Sequence, residues 1–232
     1  MKVTFGLAAV LSVLFTIGCN VDSGPTLTAS DQIDAGQAES VQTEVHMSAG
    51  TLRMEGGAPN LMAASFRYSE KFGRPSVRYD VTGAHGRLVV ESPKSNSNGG
   101  KVNEWDLRMG SEVPLDVNVS LGAGESTLDM SQIRLRSMEV NAGAGEMTLN
   151  LTGKYTRDVS VQVNGGVGEA RIRLPKDVGT VVDAHGGIGS IDTKGLTKRD
   201  GKYYNDAYAE GKPALHLEVQ GGVGEIVLTV GE

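Results

Sequence analysis

A single cysteine, Cys19, stands in the 232-residue chain, so no disulfide can form within it and the fold must stand on its packed core. Basic residues are in deficit, 22 Lys and Arg against 28 Asp and Glu, and the net charge of −6 argues against nucleic acid and against a basic patch for anionic lipid. The four histidines, His46, His85, His185 and His216, show no H-x-x-x-H or H-E-x-x-H spacing, which leaves no zinc signature; they read as polar turn or surface residues. No metal and no cofactor is expected. Aromatic residues are scarce at 5%, and the one tryptophan, Trp105 in "NEWDLRM", is expected in the core or at a cap, with carbohydrate stacking as the alternative. Beyond the N-terminal segment no apolar run reaches membrane-spanning length, and no stretch has the period of an amphipathic helix.

The N-terminal segment is itself informative. Lys2 is the only charge in the first nineteen residues, and Val3 to Gly18 is almost wholly apolar or small, as in a secretory signal. "FTIGC" resembles a bacterial lipobox: Ile17 and Gly18 suit it, while Thr16 replaces the usual leucine. A plain secretory signal is the alternative. Residues 1–19 are therefore expected to be a lipoprotein signal peptide and Cys19 the lipidated residue, anchoring an exported protein to a membrane of the cell envelope. Residues 20–42 are polar and acidic and read as a flexible linker. The remainder, residues 43–232, is long enough for one sizeable domain.

Glycine is abundant, at 32 residues, and it is periodic. "GAGE" occurs at 122–125 and 143–146, "GGVGE" at 165–169 and 221–225, and "GIGS" at 187–190. The first glycines of the G-x-G unit, Gly122, Gly143, Gly166, Gly187 and Gly222, are spaced by 21, 23, 21 and 35 residues. Five residues upstream stand Val117, Met138, Val161, Val182 and Leu217; three upstream stand Val119, Val140, Val163, Ala184 and Val219. The residues between are polar, as in a half-buried strand. Downstream the inward set moves to even offsets: Ser126, Met147, Ala170, Ile191 and Ile226, then Leu128, Leu149, Ile172, Thr193 and Leu228. A flat strand cannot change parity, so a bulge or corner must lie near the second glycine, where glycine takes positive φ without a Cβ clash.

The corner glycines are thus Gly124, Gly145, Gly168, Gly189 and Gly224, with Gly50 of "MSAGTLRM" as a fainter copy. A further faint copy surrounds Gly86, which would bring the total to seven turns. The residue between the glycines (Ala123, Ala144, Val167, Ile188, Val223) is always apolar and is expected to point into the core. Residues 92–100 read as a polar loop and 197–214 as a longer loop or arm with three tyrosines. Repeats of this length with two short strands suggest an all-β β-solenoid, its coils stacked into parallel sheets. A sandwich of antiparallel hairpins is the rival, disfavoured because apolar residues recur at like positions in every copy. The last stretch, "IVLTVGE", is a candidate open edge.

The same glycines have chemical readings. A dinucleotide fold fails, because the third glycine is missing and a strand follows where a helix belongs. No P-loop lysine follows either. A calcium-binding β-roll needs a nine-residue period and an aspartate where Ala170 stands. Glu125, Glu146 and Glu169 share one position in three consecutive copies, then come Ser190 and Glu225. On adjacent coils they repel by about 0.9 kcal/mol in water, tolerable on an exposed corner. Solvated surface is the expected role and a cation ladder the alternative. Asn141 and Asn164 share an outward column suited to an amide ladder. No acid, base and clamp come together, so no enzyme is expected.

Three stretches carry a family resemblance: "MSAGTLRMEGGAPNLMAASFRYSEKFGRPSVRYDVTG", "LGAGESTLDMSQIRLRSMEVNAGAGEMTLNL" and "GGVGEARIRLPKDVGTVVDAHGGIGSIDTKGL". They resemble the bacterial toast-rack domain, related to the C-terminal domain of LiaF-type cell-envelope stress regulators and to adhesin-like domains. The resemblance covers most of residues 43–232, dividing into a toast-rack-like region at 43–110 and a repeat solenoid at 111–232. It implies a β-solenoid and an envelope location, and it supplies no catalytic residues. The chain is expected to be a non-enzymatic, lipid-anchored binding or scaffold module, adhesin-like, with an envelope protein or cell-wall glycan as partner. The alternative is an envelope-stress regulator acting through a membrane sensor; a polysaccharide-active enzyme is a distant third.

Overall fold

The structure, a computed structural model, describes residues 24–93, 102–210, 212 and 214–231. The expected signal peptide and the lipidation site Cys19 lie outside the described residues, as do residues 94–100 of the expected polar loop. Among the described residues there are no helices. Thirteen strands succeed one another: β1 (Thr26–Ile33), β2 (Ser40–Gly56), β3 (Met62–Ser69), β4 (Ser76–Thr82), β5 (His85–Glu91), β6 (Asn103–Met109), β7 (Leu115–Asp129), β8 (Leu135–Asn150), β9 (Val159–Leu174), β10 (Gly179–Lys194), β11 (Thr197–Arg199), β12 (Lys202–Tyr204) and β13 (Ala214–Val230).

Six of these, β2, β7, β8, β9, β10 and β13, are long and carry a corner glycine near their midpoint. The parity change expected from the sequence is present: Val117 and Val119 are buried before the corner of β7, Ser126 and Leu128 after it. All thirteen strands belong to one continuous, mostly parallel sheet, and it folds at the corners, so that each long strand has a first arm in one half, the first-arm sheet, and a second arm in the other, the second-arm sheet. The terminal strand β2 makes this plain, since its first arm pairs with β5 and its second with β6. The rungs lie parallel and glycine on glycine, in the order β2-β7-β8-β9-β13-β10.

Between the two halves lies one hydrophobic core, mostly aliphatic. First-arm residues such as Val119, Val140, Val163 and Val219 and second-arm residues such as Leu128, Leu149, Ile172 and Leu228 are all fully or nearly fully buried. Burying a side chain of this kind is worth about 1.5–3 kcal/mol, and repeating it in register down the stack holds the coils together. One end is closed by antiparallel strands: β4 pairs with β5 on the first-arm sheet, and β1, β3 and β6 extend the second-arm sheet. Trp105 of β6 is core, 1% exposed, with its ring edge-on to Phe66 at 5.6 Å and its Nε1 donating to Asn103 Oδ1 at 2.7 Å.

The structure corrects several expectations. The segment 20–42 is not simply a linker: β1 lies inside it and pairs with β3 along its whole length, and β2 begins at Ser40. Its polar composition misleads because β1 is an edge strand, resting only Ala29 and Ile33 against the core. Six bent rungs are present among the described residues rather than seven; Gly86 sits in the short strand β5, beside Val41. The rungs are not stacked in chain order. β13 lies between β9 and β10, so residues 226–230 of the expected edge stretch are interior and the exposed rung is β10, while Glu232 lies outside the described residues. The arm at 197–214 contains a hairpin, β11 to β12, turned by Asp200 and Gly201, both at positive φ.

Candidate functional site

At the corner, the second glycine of each rung (Gly50, Gly124, Gly145, Gly168, Gly189, Gly224) has φ between +126° and +148°. Stacking makes a second demand. A Cβ on Gly145 would lie 1.8 Å from the carbonyl oxygen of Gly124, and the first glycines meet the neighbouring rung in the same way, Gly143 Cβ at 2.2 Å from Gly122 O. Both glycines are therefore needed wherever another rung lies alongside. In β2 the first position is Ser48, whose hydroxyl reaches Ser92 Oγ at 3.3 Å instead of meeting another glycine corner.

The residue between the glycines points outward, not into the core as expected. Val167, Val223 and Ile188 are 57, 46 and 75% exposed, and Ala49, Ala123 and Ala144 are exposed as well. The positive-φ glycine turns the chain so that the convex side of the corner carries this residue. An apolar ridge results, running Ala49–Ala123–Ala144–Val167–Val223–Ile188 across all six rungs. A narrow cavity of about 50 Å³ lies at the corner, bordered by Met147, Ala170 and Ile226 and by Gly165 and Gly186, where an added Cβ would find room.

Beside the ridge runs the carboxylate column. Because β13 is next to β9 in space, Glu125, Glu146, Glu169 and Glu225 are contiguous, four rather than three, with Ser190 last. Arg171 offsets part of the repulsion, its Nη2 2.6 Å from Glu169 and its Nη1 3.9 Å from Glu146. A hydrogen bond with Asp192 pushes the Glu225 carboxyl above the usual range, with the Glu169 charge adding to the effect. Among the described residues no group of acidic, histidine or cysteine side chains is arranged to hold a metal ion. The histidines stay apart: His85 bonds Ser40 Oγ at 2.9 Å, His185 lies 2.7 Å from Asp183, and His46 is 3.6 Å from Glu44.

An organised polar surface covers the outer face of the first arms. Its middle column reads Glu44, Asn118, Glu139, Gln162, Glu218, Asp183 from rung to rung. Amides alternate with acids over most of its length, which keeps like charges about two rungs, roughly 10 Å, apart. Asn164 Nδ2 donates to Asn141 Oδ1 at 2.8 Å, so the two asparagines do form an amide ladder. Towards the base, Asp116, Ser137, Ser160 and His216 join this column in lining a shallow groove of about 550 Å³. Arg87 grips Glu44 with two nitrogens at 2.9 and 2.8 Å and holds its carboxyl below the usual range. Burial pushes Asp116 up, but hydrogen bonds from Arg136 and Ser137 outweigh it and leave the carboxyl low. The alternation in the sequence marks these outward positions; the arrival of Lys202 from the β11–β12 hairpin at the same groove has no local signal.

This architecture has known relatives, though no match was found among functionally curated proteins. A crystal structure described as a "putative cell adhesion protein", from Clostridium sporogenes, is 29% identical, covers 89% of this chain and 100% of its own, and superposes with a TM-score of 0.85. A "putative adhesin" from Bacteroides fragilis is 10% identical over 88% of this chain and 97% of its own, with a TM-score of 0.33. The family model of the N-terminal toast_rack domain, DUF2154, matches residues 22–173, ending within β9. That match spans well over half of the sequence, and the chain belongs to the toast-rack family.

Proposed function

We propose that this protein is an exported, non-enzymatic adhesin-like module, held to a membrane by lipid on Cys19, which binds cell-wall or cell-surface glycan on its first-arm face. The observation that carries the reading is the ordered array of amides and carboxylates on that face, lining the groove with Asn118, Glu139, Gln162 and Glu218. Paired amide and carboxylate groups suit the vicinal hydroxyls of sugars, and a rigid sheet holds them without an ordering cost on binding. The likeness to the C. sporogenes structure described as a "putative cell adhesion protein" supports the same class. Retention of the purified protein on an array of glycan and cell-wall fragments is the test, with Asn118→Ala and Gln162→Ala expected to weaken it. Retention by none of the fragments would overturn the reading, and crosslinking in cells to a sensor kinase would favour an envelope-stress role instead. Cys19→Ala is expected to move the protein from the membrane fraction to the soluble exported fraction.

A further inference from the structure

The outer side of β10 is the longest strand edge left open among the described strands. β12 covers only Val181 and Val182, and from Asp183 to Lys194 the strand is paired on its β13 side alone. Edges of this kind are usually blunted by charge, proline or a covering element. From Gly186 to Ile191 there is neither charge nor proline, and Ile188 is the most exposed large apolar side chain described. The core is unfinished at the same place, since Thr193 is exposed and Ala184 only half-buried where the inner rungs carry Leu228 and Val219.

We propose that this edge pairs antiparallel with the β10 edge of a second copy of the chain, making a two-fold, end-to-end dimer. The bend selects the register. Corner must meet corner, and outward side chains must lie opposite outward side chains on both arms. Because parity switches at the corner, outward residues are odd-numbered before it and even-numbered after it. The pairing that satisfies both demands sets Ile188 opposite Gly189. Asp183, which within its own chain already lies 2.7 Å from His185 and 3.5 Å from Lys202, then faces Lys194 of the second copy, and His185 faces Asp192, each contact occurring twice by symmetry. On the inner side Ala184 meets Thr193 of the second copy, which closes the unfinished end of the core. The bend alone chooses this register, and the charge pairs it produces are complementary. The ridge continues across the join, with Ile188 at its centre.

Sedimentation equilibrium of the purified chain over a concentration series tests this. A reversible dimer is expected. Ile188→Lys should abolish it, while Val167→Lys, on the same ridge two rungs inside, should leave it intact. Lys194→Asp should weaken it about tenfold through two like-charge contacts, and Asp183→Lys with Lys194→Asp should restore it. Both ridge residues are exposed, so the variants are expected to fold, which thermal unfolding checks independently. A monomer at every concentration, a dimer indifferent to Ile188→Lys, or failure of the charge swap to restore association would each overturn the proposal. Ile188→Lys and Lys194→Asp lie outside the first-arm groove and test association separately from glycan binding, whereas Asp183 lines that groove and its variant is read by association alone.

Discussion

Gly165 and Gly168 stand three residues apart in one motif, and their surroundings predict opposite responses to alanine. At Gly165 an added Cβ would find nothing nearer than Gln220 O at 3.8 Å, and the backbone is not at positive φ. Gly165→Ala should be neutral or stabilise by about 0.5 kcal/mol, by restricting the unfolded chain. At Gly168 φ is +136° and the Cβ would lie 1.8 Å from Gly145 O, a backbone atom that no rotamer change can move. Relief needs the rungs to separate by more than about 1 Å, against hydrogen bonds and packed side chains on both sides. Together with the strain of positive φ, the cost is about 3 kcal/mol or more. In a domain of this size that lowers Tm by roughly 6–12 °C. Scanning calorimetry of the two variants beside the parent chain measures it. Equal Tm values for Gly165→Ala and Gly168→Ala would refute the argument that stacking, and not mere flexibility, demands the second glycine.

Acidification should destabilise the protein. Arg87 beside Glu44, and Arg136 with Ser137 beside Asp116, hold folded-state carboxyls below their unfolded values, so their stabilisation is full above about pH 5 and is lost as pH falls through the depressed values. Arg136→Gln should cost up to about 1 kcal/mol at pH 7 and progressively less as pH falls through the depressed Asp116 value, read by urea denaturation across a pH series. Glu225 runs the other way: its raised value favours the neutral form in the fold, a contribution present at low pH and lost as pH rises. Asp192→Asn should return the Glu225 carboxyl towards the ordinary range, which a carbon-detected NMR titration would follow. Trp105→Ala should cost about 3–5 kcal/mol by urea unfolding, through its cavity and the Asn103 oxygen it leaves unpaired.

The bent rungs are legible in the sequence because two local signals coincide, alternation of burial and glycine at the change of parity. Val117, Val119, Ser126 and Leu128 already imply the corner in β7, and the same columns imply parallel stacking. The outward direction of Val167 and Ile188 is not legible, since an apolar residue between two glycines looks like core until the convex side of the bend is known. β1 escapes for a related reason: a strand that touches the core through only Ala29 and Ile33 has the composition of a linker. The polar array on the first arms is visible as outward positions. Its groove depends on which rungs are neighbours, and that is a property of topology.

The order of the last two rungs has a physical cause in their inward residues. In chain order β10 would come after β9 and be covered by β13, burying Ala184 and Thr193 between full-sized layers. The observed order gives the inner place to β13, which brings Val219 and Leu228, both buried, and leaves Thr193 at the end where its hydroxyl meets water. A buried hydroxyl without a partner costs about 1–3 kcal/mol and a missing leucine about as much again, so the two orders differ by enough to decide between them. Two connections make the inversion possible. Residues 175–178 cross two rung spacings along the stack and the gap from second arm to first, each roughly 10 Å and together about 14 Å, within the reach of the five extended steps from Leu174 to Gly179. The long 35-residue step between Gly187 and Gly222 then lets the chain travel out along β10 and return inside it. Asn205 locks that return, accepting from Thr180 N at 2.9 Å and donating to Val178 O at 2.8 Å and Pro175 O at 3.0 Å. The insertion that looks like an interruption of the repeat is what allows the least apolar rung to become the end of the stack.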